Sequence, residues 1–322
     1  MYMFVPKGSS GRIDWGDGTV EDLTQDSSSS SRRTHQYEEC GDYIIKIIAD
    51  FSGGGGLGNS YTASSIFSAY NGDFYAGNIL QKAYIGAVPK LYYGLFSGAC
   101  NLRAVSMSNK CKSIGRNMFS TSHSLKSISY PRNMSVSTSS LRSAMNACRS
   151  LKYISLPKKN LSIESAVARD CSALTYAHIP SKSICTDGSY EFAFCYSLHT
   201  IVLPNIDNTA TEMAYTCSNI RKAIIIGESC SLKSTFEECK NVSRIKIKSP
   251  ITSIGSGTFK GCYNLEELDL TACESVPTLE STGAFSYVNS FCKILVPAVL
   301  AEEWKAATNW SSYANQIVAV EV

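Results

Sequence analysis

The stretch "TFKGCYNLEELDL", residues 258–270, carries the spacing that decides the fold. Phe259 stands three places before Cys262, and Leu265, Leu268 and Leu270 stand three, six and eight places after it. Residues two apart in an extended chain point to one side. Leu268 and Leu270 therefore face one interior from a short strand, and Leu265 enters that interior from the bend before it. The same frame surrounds Cys148 (Leu151, Ile154, Leu156), Cys171 (Leu174, Ala177, Ile179) and Cys195 (Leu198, Ile201, Leu203). It continues at Cys217 (Ile220, Ala223, Ile225) and Cys239 (Val242, Ile245, Ile247).

Other small or modest residues take the anchor position elsewhere. Ser122 precedes Leu125, Ile128 and Tyr130; Ala99 precedes Leu102, Val105 and Met107. Gly77 precedes Leu80, Ala83 and Ile85, and Val288 precedes Phe291, Ile294 and Val296. That makes ten units, 22 to 26 residues apart. Phenylalanine recurs upstream of the anchor, and proline often follows the strand, as at Pro131, Pro157, Pro180, Pro204 and Pro297. One unit has only a handful of apolar side chains and cannot offset the entropy of ordering its own backbone. Stacked units shelter one another, which is the logic of a solenoid. Strands stacked at ~4.8 Å would form a parallel sheet about 45 Å long. The short upstream halves, such as "GTFKGC" and "YEFAFC", are expected as helical or 3₁₀ turns packed behind that sheet.

Composition narrows the function. The 322 residues are 44% hydrophobic and 18% charged, with 30 Lys and Arg against 27 Asp and Glu, a net charge of +3. So even a balance argues against nucleic acid as a partner. No apolar run approaches the ~20 residues of a membrane helix, so no membrane insertion is expected. The start, "MYMFVPKGSS", lacks a signal-peptide core. Thirteen cysteines contain no CxxC pair, and six of them share the anchor position with Gly, Ala, Ser and Val. They are expected as small, buried, reduced side chains rather than a disulfide framework or metal ladder.

The pattern Phe-x-x-Cys-x-x-Leu-x-x-Ile-x-Leu-Pro resembles the leucine-rich repeat of BspA-like bacterial surface proteins, over roughly residues 61–297. The resemblance implies an α/β solenoid, a leucine-rich-repeat stack of parallel strands with short helical or 3₁₀ turns. It implies a non-enzymatic surface or secreted protein that binds host or microbial proteins or glycans in adhesion. A phage-borne adhesin is a close variant. A cytosolic protein–protein interaction scaffold is the alternative, and the cysteine-rich core suits it equally.

The ends depart from the repeat. "GRIDWGDGT" (11–19) places Asp-Gly between strand-like residues, a hairpin signal. In "HQYEECGDYIIKIIAD" (35–50), Tyr43, Ile45 and Ile47 alternate in strand period. Together they resemble part of a PKD-like β-sandwich. The expected organisation is a small β fragment at 1–52 with a serine-rich loop at 27–31, a glycine-rich linker at 53–60, the solenoid at 61–297 and a cap at 298–322. In the cap, Leu300, Trp304 and Ala307 share a short helix face, and "QIVAVEV" reads as a last strand.

Chemistry is sparse. Asp14, Asp17 and Asp22 miss the calcium-loop spacing and read as turn residues. None of the four histidines lies in a catalytic or metal-binding motif. His178 and His199 are expected on neighbouring strands, as solvated side chains. No metal, cofactor or catalytic residue is expected. The places five and seven after each anchor face outward. They bring an aromatic group, Tyr153, Tyr176 and His178, beside a basic group, Lys222, Arg244 and Lys246. Tyrosine and arginine are enriched where proteins bind, so these residues with His199 form the candidate ligand face.

Overall fold

The computed structural model describes residues 2–5, 10–24, 31–36, 38, 39, 44–50, 81–85, 94–111, 114–130, 141–156, 161–186, 188–206, 210–227 and 230–321. They fall in two compact units, 1–139 and 140–322. The expected linker at 53–60 and the anchor Gly77 lie outside the described residues, as do Tyr43, Pro131 and Pro157.

In the first unit, Ser10–Asp14 pairs antiparallel with Val20–Asp22 and with Lys46–Asp50. This is the hairpin that the Asp-Gly pair announces: Gly16 and Gly18 hold φ of +84° and +95° in its turn. Ile13, Trp15 and Leu23 are buried. Tyr2–Val5 pairs antiparallel with Ser31–Thr34, whose first residue belongs to the expected serine-rich loop. Further along, Lys82–Ile85, Ala104–Met107 and Ser127–Ser129 form a parallel sheet in the predicted register.

The second unit is a β-solenoid. Its front sheet has eight parallel strands in chain order: Tyr153–Ser155, Tyr176–His178, Thr200–Leu203, Lys222–Ile225, Arg244–Ile247, Glu267–Asp269, Lys293–Pro297 and Ile317–Val320. Residues at places three, six and eight after Cys148, Cys171, Cys195, Cys217, Cys239 and Cys262 are all buried. So are the six anchors themselves. Pro180 and Pro204 sit at the corner where each coil leaves the front sheet, since proline cannot donate to a ladder.

Two features differ from expectation. First, a second parallel ladder lies beyond the prolines: Ser162–Ile163, Ile184–Cys185, Asn205–Ile206, Cys230–Leu232, Ile251–Ile254 and Thr278–Leu279. Its strands are too short to carry a visible period. Second, among the described residues the upstream halves are short i→i+3 turns, as expected, of which Thr282–Phe285 is a regular 3₁₀ helix, but their backbone is unlike a helix. Left-handed residues recur one and five places before the anchor, as at Ser143 and Ala147, Ala166 and Asp170, and Glu212 and Thr216. This alternation aims every second N–H at the next coil. Met145 N–H donates to Val167 and Ala147 N–H to Arg169, for example, at 2.8 and 2.7 Å. The intervening N–H groups bond within the coil, as Ala144 to Leu141 and Cys148 to Met145, so the turn's bonds alternate between its own coil and the next.

The unit anchored at Val288 also slips by one residue. Asn289 Oδ1 accepts the N–H of Phe291, and the Asn289 carbonyl accepts that of Cys292. The turn starts one place late, so Cys292 fills the core and Phe291 is 87% exposed.

The C-terminal segment closes the core. The Ala301–Ala306 helix buries Ala301 and Trp304 rather than the expected Leu300 and Ala307. Trp310 packs edge-on against Trp304, and its Nε1–H donates to the Pro277 carbonyl at 2.8 Å. The last strand continues the front ladder, with Ile317 beside Ile294.

Candidate functional site

Parallel pairing without a slip carries each outward place into a file across the front sheet. The fifth places run Tyr153, Tyr176, Thr200, Lys222, Arg244, Glu267, Lys293. The seventh run Ser155, His178, Val202, Ile224, Lys246, Asp269, Leu295.

The aromatic group is brought together. Tyr153 and Tyr176 are register partners, and Tyr153 is 67% exposed. The Tyr176 and His178 rings lie 6.5 Å apart, tilted by 36°. His199 does not join them. It precedes its strand and lies level with Thr175, whose carbonyl accepts its N–H, while Val202 is the register partner of His178. The two histidines are thus three places apart along the strands, roughly 10 Å.

The basic group is divided. Lys246 Nζ pairs with Asp269 Oδ2 at 2.5 Å. Asp269 also accepts hydrogen bonds from the N–H and hydroxyl of Thr271. Burial raises its carboxyl pKa, but the bonds from Lys246 and Thr271 outweigh burial and hold it below the ordinary carboxylate value. Lys246 is committed to this contact. Lys222 and Arg244 are exposed register partners and enter no ion pair among the described residues.

The structure adds residues that the strand period passes over. The fourth place after the anchor also faces outward, bringing in Lys152 and Arg221, both exposed, and Glu266 one coil further on from Ser243. They lie in the bend, where alternation is not yet established. A separate cluster occupies the turn side. The Arg169 guanidinium lies 5.2 Å from the ring centres of both Tyr190 and Phe194. Tyr215 meets those two rings edge-on, and the Tyr190 hydroxyl donates to Glu212 at 3.2 Å.

In the first unit, the three aspartates turn their side chains to local backbone. Asp14 accepts from Gly16 N–H, Asp17 from Thr19 and Asp22 from Thr24, at 2.9, 3.0 and 2.8 Å. Asp17 also meets His35 Nε2 at 2.6 Å, and the His35 ring stacks on Trp15.

The front files offer hydroxyls, aromatic rings and cations, with Val202 and Asp269 set deeper than their neighbours. Their one deeply set carboxylate is held ionised.

A family model described as the BspA type leucine rich repeat region matches six copies, across residues 64–143, 89–221 and 215–303. Among solved structures, a leucine-rich repeat protein of T. pallidum is similar at 21% identity, covering 59% of this chain and 80% of that one, with a TM-score of 0.40. One from Bacteroides ovatus is similar at 20% identity, covering 73% and 76%, with a TM-score of 0.37. A leucine rich cell surface protein from Faecalibacterium prausnitzii is similar at 17% identity, covering 76% and 93%, with a TM-score of 0.24. No curated protein matches the chain.

Proposed function

This chain belongs to the BspA type leucine-rich repeat family, and from that premise we propose that it is a non-enzymatic binding protein displayed at the cell surface or secreted. The observation that carries the proposal is the unslipped parallel register of the front sheet. It sets exposed Tyr153, half-buried Tyr176, and exposed Lys222 and Arg244 in one file over a packed core. A rigid track of this kind binds with little ordering cost, because its side chains are already spaced. Extracellular host or microbial proteins and glycans are its ligands in this reading. Among the described residues, no helix is long and apolar enough to cross a membrane.

The test is an array of extracellular proteins and glycans probed with the full chain, and with Tyr153→Ala and Lys222→Ala. Binding that both substitutions weaken supports the reading. Binding that neither alters would place the ligand elsewhere on the molecule.

One observation favours a second reading, a cytosolic scaffold for protein–protein contacts: no two described cysteines are joined in a disulfide. Cell fractionation separates the two. Native protein found only in the soluble cytoplasm would remove the surface role.

A further inference from the structure

We infer that the front sheet between Lys152 and Arg244 takes an anionic polysaccharide, one carrying uronate or sulfate groups; this rests on the binding role above and names its ligand class. The cations converge through the backbone. The His199 carbonyl accepts the N–H groups of both Arg221 and Lys222, at 3.0 and 3.2 Å. The Arg221 carbonyl in turn accepts those of Ser243 and Arg244, both at 3.3 Å. Four exposed side chains, His199, Arg221, Lys222 and Arg244, therefore spring from touching strands. None enters an ion pair among the described residues. Lys152 extends the charge to the far side of the two tyrosines.

The acids in the same outward files stand at one end. Asp269 is neutralised by Lys246, and Glu266 and Glu267 begin one coil past Arg244, with Glu267 as its register partner. The field is thus positive from the Tyr153 strand to the Arg244 strand and reverses beyond it. Four strand spacings of ~4.8 Å make a positive track about 19 Å long. Guanidinium groups match carboxylate and sulfate oxygens through paired N–H donors, and Lys222 adds a point charge. Tyr153 and Tyr176 supply apolar ring surface with a polar tip, which suits a sugar ring's mixture of C–H and hydroxyl groups. The cations are spread along successive strands rather than gathered at one point, so a linear polymer with repeated charges matches their spacing.

The experiment is calorimetric titration of the full chain with heparin and with polygalacturonate, at low and high salt. Dextran is the neutral polymer and a DNA duplex the sugar-poor polyanion. At least one acidic glycan is expected to bind, more weakly in high salt. Dextran is expected not to bind, and DNA to bind less tightly than the glycan. The double variant R221E/K222E is expected to lose about tenfold or more in affinity. The control K182E/K233E changes net charge equally on exposed lysines beside the second ladder, and it is expected to bind as the parent does. Circular dichroism checks that both variants keep the fold. Four results would overturn the proposal: no binding of either acidic glycan, binding unchanged in R221E/K222E, an equal loss in the control, or DNA bound as tightly as the glycan. If the acidic glycans fail while a protein or neutral glycan binds in a manner lost with Tyr153→Ala, the ligand class falls and the binding role stands.

Discussion

The thiol of Cys171 donates to the carbonyl of Met145, 26 residues earlier, at 3.1 Å. That carbonyl also accepts the N–H of Cys148, the anchor of its own coil, at 3.1 Å. The contact recurs from Cys195 to Ala168, Cys217 to Phe192, Cys239 to Ala214 and Cys262 to Phe236, at 3.0 to 3.2 Å. Ser122 makes it to Phe96 at 2.6 Å. The anchor is therefore a buried donor linking coils as well as a small side chain.

Replacing Cys171 by alanine removes the donor and opens a small void, and is expected to cost about 1–2 kcal/mol. Cys171→Ser keeps a donor in the geometry that Ser122 already uses and is expected to cost less than half as much. Urea unfolding of the two variants checks the order. Equal losses would reduce the anchor to a matter of size.

Alkaline unfolding is the second expectation. Burial pushes the Cys292 thiol from 9.0 to about 12 and that of Cys273 to about 11, and raises Cys195, Cys230, Cys239 and Cys262 as well. A raised folded-state value means that the folded chain holds its protons while the unfolded chain releases them. Stability is full below pH ~9 and falls above it, by about 1.4 kcal/mol per pH unit for each such thiol. In Cys100→Ser, which removes the thiol exposed among the described residues, thiolate absorbance and circular dichroism should change together in one steep transition above that pH. Thiolates appearing before the fold is lost would contradict the burial of these groups.

The one-residue slip at Val288 gives a matched pair. Phe291→Ser is expected to change stability by no more than about 0.5 kcal/mol. Leu265→Ala, at the equivalent place one coil earlier, removes a buried side chain and is expected to cost about 2–5 kcal/mol. Thermal unfolding of both variants checks this. A large loss for Phe291→Ser would return that residue to the core.

Asp269→Asn weakens the contact to Lys246 and is expected to cost about 1–3 kcal/mol. Because the folded-state carboxyl value is depressed, this stability is present above the ordinary carboxylate range and lost as pH falls through it. The difference between parent and variant, followed by urea unfolding from neutral to acid pH, should therefore shrink with acidification. A difference independent of pH would remove the charge from the explanation.

Gly261 holds φ at +75°, where Glu238 and Thr216 stand in the preceding coils. An added Cβ would come 2.6 Å from Glu238 Oε1. Gly261→Ala is expected to destabilise by about 1–2 kcal/mol, measured by urea unfolding. A neutral result would mean that the turn ladder tolerates a side chain there as readily as it does at Glu238.

The front sheet was legible because its signal is local. Leu265, Leu268 and Leu270 sit close enough in sequence for their spacing to reveal one buried side, and the anchors repeat that spacing at nearly constant intervals. The turn side was not legible. Ala147 and Asp170 carry no mark of a left-handed backbone, which only the glycines at the equivalent places of two other coils, Gly94 and Gly98, Gly257 and Gly261, hinted at. Their conformation is imposed by bonds to the neighbouring coil. The candidate site divided in the same way. Tyr153, Tyr176, Lys222 and Arg244 follow from counting along strands, as does the offset of His199 at a fourth place from His178 at a seventh, whereas the commitment of Lys246 to Asp269 and the addition of Arg221 depend on contacts between coils.

By itself, then, the sequence determined which side chains of each coil point inward, since that depends only on alternation along a strand and the cost of leaving apolar groups in water. Tertiary structure alone decided which charges remain open, which thiols donate and which backbone angles turn left-handed. Each of those is a property of a pair of groups some 21 to 27 residues apart, and no pair exists until the coils are stacked.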